Sequence, residues 1–247
     1  MENGEVSAVQ ASAFMVGCAW LGRDPGTGAI RACLEAVERV GDHRAAANMA
    51  WALAVLQACD QSTWSRLVAH VEGAAAELLD VQLVQLAQAY QMLRQQHGSD
   101  IPCPPDLLRR SLKAQASRLS HMQRHGRTCH FERALVAAVH QLAAGQDVQY
   151  ACIATGRDGL PLALVDVALP QLRIAVEGNG PRRFLRGRGS EDAGQLQLNG
   201  PTQARNLVQQ GADWLVVSLP SPAAWDPCSR AAHCLQMSSW WRGWRVT

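Results

Sequence analysis

A change of hydrophobic period part-way along the chain restricts the fold more than any other feature. From Val6 to about Leu142 the apolar residues recur at three- and four-residue spacing, the repeat of a helix that buries one stripe. Gly, Pro or short polar breaks interrupt that pattern roughly every 15 to 20 residues. The expected helices are 7–21, 27–40, 43–58, 62–79, 81–96, 105–121 and 128–143. The clearest punctuation is the stretch from Asp24 to Gly28 and the Pro-rich run from Ile101 to Asp106, because proline is best tolerated in a helix's first turn. After Gly145 the texture changes. β-rich runs are expected at 148–154, 162–169, 172–177 and 213–219, with a helical pattern at 202–210 before the last. The runs from Leu162 to Leu169 and from Leu172 to Glu177 are almost continuously apolar, as in strands covered on both faces.

The expected architecture is therefore α-helical repeats over 1–145, a small α/β domain over 146–226, and a tail over 227–247 that holds Trp240, Trp241, Trp244, Arg242 and Arg245. The case for repeats rests on ANMAWALAVL at 47–56, which aligns with VQLAQAYQML at 84–93 at an offset of 37 residues. Met49 then matches Leu86, Ala50 matches Ala87, Ala52 matches Ala89 and Leu56 matches Leu93, while a fainter third copy sets Phe14 opposite Trp51. A period in the thirties with two helices per unit is the mark of an α-solenoid, whose units bury a continuous core by stacking. An Ala-rich bundle produces similar matches by chance, so both arrangements stay open.

Composition excludes wholesale disorder, with 48% hydrophobic and 18% charged residues. The net charge of +2 does not announce a polyanion binder, so the distribution of charge has to decide. Lys113 is the sole lysine; the arginine bias suits RNA contacts, since guanidinium stacks on bases and forks onto phosphates, and suits GC-biased codon usage equally. The eight cysteines are scattered with no CxxC, as expected of thiols in a reducing compartment without a disulfide framework. The apolar run Ala11 to Leu21 is too short to span a bilayer, and Glu2 and Glu5 precede it where a signal peptide would be basic. Neither secretion nor membrane insertion is expected, and no Arg-rich transit peptide is visible. Nothing matches a P-loop, a GxGxxG fingerprint or a GxSxG elbow.

Chemistry concentrates between Val165 and Trp225. One strand carries Asp166, and its neighbour ends at Glu177 just before Gly178-Asn179-Gly180-Pro181. Carboxylates on adjacent strands can converge on a divalent metal that activates water against a phosphodiester, or can play a hydrogen-bonded structural role. Between Arg173 and Arg188 stand Arg182, Arg183 and Arg186 as well, against the single acid Glu177. Between Arg109 and Arg127 stand Arg110, Lys113, Arg118 and Arg124, with no acid. Both stretches suit phosphates, and Phe184 and the tail tryptophans suit base stacking; a solvated arginine face is the plainer reading of either. His121, His125 and Cys129, at i, i+4 and i+8, invite a zinc reading, although Gly126 weakens the helix and no fourth ligand is evident. Cys228, His233 and Cys234 are irregular for zinc. No bound metal is expected from either group.

The same stretch resembles the RAP domain, a module at the C-terminus of organellar RNA-binding proteins that include the octotricopeptide repeat proteins of algae and the FASTK-like family. Asp166, Glu177, Gly180, Pro181, Phe184, Leu198, Gly200, Thr202, Arg205, Gly211 and Trp225 match its landmarks in order, over about a quarter of the chain. The resemblance implies a restriction-endonuclease-like fold and RNA as partner, with other RNA-processing proteins alongside. It also implies a chloroplast or mitochondrial location and a role in transcript stability, processing or translation. Two positions depart from the pattern: the family's Asp is Asn179 here, and its His is Arg183. Related nucleases place a lysine two positions after the second acid, where this chain has Asn179. An amide neither carries positive charge nor acts as a base, so hydrolysis is not expected and neither is a cofactor. The alternatives are a ribonuclease using Asp166 and Glu177 with Mg²⁺, and a helical protein-binding scaffold. The residues expected to meet RNA are Arg182, Arg183, Phe184, Arg186, Arg188 and Arg205, together with Arg109, Arg110 and Lys113.

Overall fold

The computed structural model describes residues 6–98, 101–126, 129–185 and 197–221. The first helix, α1 (Ala8–Leu21), starts where the Ser7 hydroxyl accepts from the Gln10 N–H and the Gln10 side chain accepts from the Ser7 N–H. That reciprocal cap satisfies two backbone donors that the helix leaves open. It stops at Gly22, whose φ of +56° suits a residue without Cβ. Next come α2 (Thr27–Val40), α3 (His43–Val55) under an Asp42 cap, and α4 (Gln61–Glu72) under an Asp60 cap. The expected helix 62–79 breaks at Gly73, because glycine costs about 1 kcal/mol relative to Ala in a helix, and only a single 3₁₀ turn, Ala75–Glu77, follows. α5 (Asp80–His97), α6 (Pro105–His125) and α7 (His130–Leu142) complete the helical part.

Beyond it the chain forms a four-stranded mixed sheet in the order β1 (Gln149–Thr155), β2 (Pro161–Leu169), β3 (Ile174–Asn179), β6 (Leu215–Pro220). The first two pairings are antiparallel, and β3 with β6 is parallel. A two-stranded ladder, β4 (Phe184–Leu185) with β5 (Gln197–Leu198), precedes α8 (Gly200–Gly211), which crosses over to β6. The chain is thus mostly helical, with a small mixed sheet at the C-terminal side of the described residues.

α1, α3 and α5 lie side by side, and α3 and α5 are buried over most of their length. Trp51 Nε1 donates to Gln88 Oε1 at 3.0 Å, joining two residues that the sequence alignment sets 37 apart as counterparts. The sheet is covered on both faces. Leu135 and Val139 of α7 pack on Val167, Leu169 and Val176, while α8 lies on the other face. α8 also belongs to the helical core through Ala204 and Val208. Its Gly200 passes so close to α1 that an added Cβ would lie 1.8 Å from the Ala19 carbonyl oxygen. Elsewhere a buried amide pair ties helices to sheet: Gln115 Nε2 donates to Gln91 Oε1 and to the Leu162 carbonyl, and Gln91 Nε2 donates to the Pro161 carbonyl. No helix among the described residues is long and apolar enough to cross a membrane.

Candidate nucleic-acid interface

The β2–β3 register pairs Val167 with Val176 on the α7 side. Continued by one residue, that register sets Asp166 opposite Glu177, and Glu177 turns to the α8 side. Glu177 is only 1% exposed. Its Oε2 lies 3.1 Å from Arg205 Nη2, and its Oε1 accepts from Gln209 Nε2 at 3.3 Å. Arg205 and Gln209 stand one helical turn apart on α8, so one helix face supplies both partners. Asn206, beside them, donates to Ser218 Oγ on β6 at 3.1 Å.

Asp166 is half-buried and its Oδ2 accepts the Gly178 N–H at 2.7 Å. Phe131 of α7 packs on Gly178, where an added Cβ would meet its ring at 2.9 Å, and this brings Glu132 near. Burial pushes the Asp166 carboxyl above the ordinary range and the charge of Glu132 adds to that, against the Gly178 hydrogen bond and the pull of Arg205 and Arg183. Burial likewise raises Glu177, opposed chiefly by Arg205. A carboxyl whose folded pKa is raised stabilises the fold fully below its unfolded pKa, near 4, and that contribution is lost as pH rises through the folded value. Asp166→Asn, which keeps an oxygen for Gly178, should accordingly raise the urea midpoint at pH 7, with the gain shrinking as pH falls toward 4. A variant less stable than wild type at pH 7 would contradict this placement of Asp166.

Asn179 lies two residues beyond Glu177 on the same face and is buried, and its Nδ2 finds no hydrogen-bond acceptor among the described residues. Arg205 Nε is in the same position. Mg²⁺ requires oxygen ligands. The buried atoms left without a hydrogen-bond partner around Glu177 include the donors of Asn179 and Arg205 and the amide oxygens of Asn206 and Gln209, while Glu177 itself is already paired with a guanidinium. Among the described residues no three His, Cys, Asp or Glu side chains are grouped to hold a metal. The sequence spacing puts His121, His125 and Cys129 on one helical face, and the structure corrects that. α6 ends at His125, Gly126 is extended, and Cys129 instead caps α7 by accepting from the Glu132 N–H. Cys228, His233 and Cys234 lie outside the described residues.

Arg182 and Arg183 occupy an exposed 3₁₀ turn, Pro181–Arg183, directly after β3. One buried residue fixes it. Asn199 donates its N–H to the Arg183 carbonyl at 2.7 Å and its Nδ2 to the Arg182 carbonyl at 3.0 Å, while its Oδ1 caps α8 by accepting from the Thr202 N–H. Arg183 leaves much of its side chain in solvent, yet desolvation of its head group and repulsion from Arg205 lower its pKa, against the pull of Glu177 and Asp166. It stays charged, as arginine does. Phe184 is half-buried at the start of β4. Arg205 is mostly buried beneath the turn, committed to Glu177. Arg186 and Arg188 lie outside the described residues.

Two basic groups stand apart from this turn. Arg173, left-handed at φ 51°, donates to the Thr155 and Ala212 carbonyls and sits 5.2 Å over the Trp214 ring, so it braces the sheet. Arg109 and Lys113 are exposed and Arg110 half-buried on α6, with Arg109 paired to Asp106 at 2.8 Å. That helix packs on α5 and the β1–β2 side of the sheet, whereas the turn follows β3. A separate cleft of about 290 Å³ lies between α5 and the turns at 156–160 and 211–213. Its charges already pair as Arg94 with Asp158 and Arg157 with Asp213.

Sequence reasoning missed Gln209, Glu132 and the double role of Asn199. Asn before Gly200-Pro201 was a readable cap signal; the other two become partners only through tertiary packing. Neither a protein-family model nor a curated protein matches the chain.

Proposed function

We propose that the chain is an RNA-binding protein that meets single-stranded RNA through the Arg182–Arg183 turn and the adjoining Phe184. One observation carries this reading: the two arginines are exposed on a turn that Asn199 holds rigid, above acids that Arg205 partly neutralises. The rim thus offers positive charge without the entropy cost of ordering a loop. The exposed Arg109 and Lys113 of α6 form a second, separate contact surface on this reading.

The finer architecture belongs to the same proposal. The Trp51–Gln88 contact supports reading the helices as stacked solenoid repeats. The Asp166–Glu177 hairpin with its α8 crossover supports a restriction-endonuclease-like unit whose hydrolytic chemistry is lost. Action in an organelle, chloroplast or mitochondrion, on transcript stability, processing or translation rests on the resemblance to RAP-domain proteins, as does the company of other processing proteins.

Fluorescence polarisation with labelled single-stranded RNA over a salt series tests it. Arg182→Ala with Arg183→Ala should weaken binding and flatten the slope of log K against log salt by about 0.7 for each phosphate no longer neutralised. Unchanged affinity and slope would overturn the reading. The ribonuclease alternative draws on Asp166 and Glu177 standing near each other on adjacent strands; cleavage with Mg²⁺ that disappears in Asp166→Ala would establish it.

A further inference from the structure

The outermost helix of the helical layer, α1, contains no charged residue. It buries Ala8, Ala11, Ser12, Met15 and Ala19. On the opposite side it leaves Val6, Val9, Phe14, Trp20 and Leu21 about half exposed or more. At 100° per residue, Val9, Ala13, Gly17 and Trp20 fall in one line down the helix, flanked by Phe14 and Leu21, with Val6 just before its cap. Fourteen helical residues without a charge are unusual for a face left to water.

The register of the repeats gives this face a meaning. Shifted by 37 residues, Val9 falls on Ala46 and then Leu83, and Ala13 falls on Ala50 and then Ala87. All four of those counterparts are buried in α3 and α5. Those two positions are thus covered by protein in the inner helices and open on α1.

We propose that α1 pairs through this face with α1 of a second copy of the chain, antiparallel about a two-fold axis. The face is self-compatible because it carries no charge to repel its own image, as an isologous interface requires. With the axis between Ala13 and Gly17, Ala13 of each copy meets Gly17 of the other, two small residues that let the backbones approach. Val9 and Gln10 then meet Leu21 and Trp20. An added Cβ at Gly17 meets nothing within 4 Å inside its own chain, so the position is open to a neighbour. Five half-open apolar side chains expose on the order of 500 Å² per copy, so the pair buries about 1,000 Å², enough for a specific but reversible dimer.

Sedimentation velocity from about 1 to 200 µM, the range in which such an interface is populated, tests the pairing. The expected result is a concentration-dependent rise from 26.8 kDa toward twice that mass. Gly17→Glu and, separately, Ala13→Glu should each weaken self-association at least tenfold by burying unpaired charge. Both side chains point outward, so the helical circular dichroism and melting temperature should stay near wild type. A monomer at every concentration overturns the proposal and leaves the face to a partner of different sequence. A dimer that survives both substitutions overturns it too, by placing the interface elsewhere.

Discussion

Arg205→Ala should cost the folded protein about 3 kcal/mol at neutral pH, because it leaves Glu177 buried with its charge uncompensated. Both side chains are well shielded, at 20% and 2% exposed, so solvent screens the pair little. Only the Gln209 amide would remain on the carboxylate, and one neutral hydrogen bond does not replace a cation. The pH dependence identifies the cause. Without Arg205 the Glu177 pKa climbs further above its unfolded value, near 4.3. The protonated form is the one the interior tolerates, so the deficit of the variant should shrink as pH falls from 7 toward 4 and widen as pH rises. Replacing both residues, as Arg205→Met with Glu177→Leu, should recover most of the loss, since buried ion pairs exchange for apolar pairs at little cost. Urea unfolding of the single and double variants across that pH range decides it. A deficit below about 1 kcal/mol, or one that is flat with pH, would mean that the pair does not hold α8 on the sheet.

Gly200→Ala should be comparably damaging for a steric reason. The new methyl would stand 1.8 Å from the Ala19 carbonyl oxygen and 3.0 Å from its carbon, and backbone cannot swing aside as a side chain does. α8 would have to lift from α1 and α3, taking Ala204 and Val208 out of the helical core. Overpacking of this kind costs about 3 kcal/mol or more, or prevents folding. Gly180→Ala supplies the contrast. Its φ is −71° and no atom lies within 4 Å of an added Cβ, so it should be nearly neutral. If the two variants unfolded at the same urea concentration, the close approach of α8 to α1 would be refuted.

The two glycines look alike as letters in one motif, which shows where sequence reasoning stops. Helix positions were legible because their signals are local: α3 starts at His43 as expected, with Asp42 as its cap, and Gly22 and Gly41 end α1 and α2 in left-handed conformations at the expected places. α6 runs on to His125, four residues past its expected end, since its last turn is polar and carries no apolar stripe. β3 starts at Ile174 rather than 172 because Pro170–Leu172 forms a 3₁₀ turn that closes on left-handed Arg173. The β4–β5 ladder was invisible, as two-residue strands have no period to read. At the site, the nearness of Asp166 and Glu177 on adjacent strands was readable from the pattern of the two runs. The partners of Glu177 did not, because Arg205 and Gln209 come from a helix whose position is fixed by α1, α3 and α5. Arg173 was counted with the polyanion-facing arginines because nothing in its neighbourhood of sequence reveals Thr155, Ala212 and Trp214.

The seat of α8 against α1 also sets a clock. Ala19 and Gly200 touch across about 180 residues of chain, so at roughly 5 to 20 residues per second α1 emerges some 10 to 40 seconds before the helix that completes its packing. During synthesis α1 therefore waits that long for α8, with α2 and α3 as the neighbours already made.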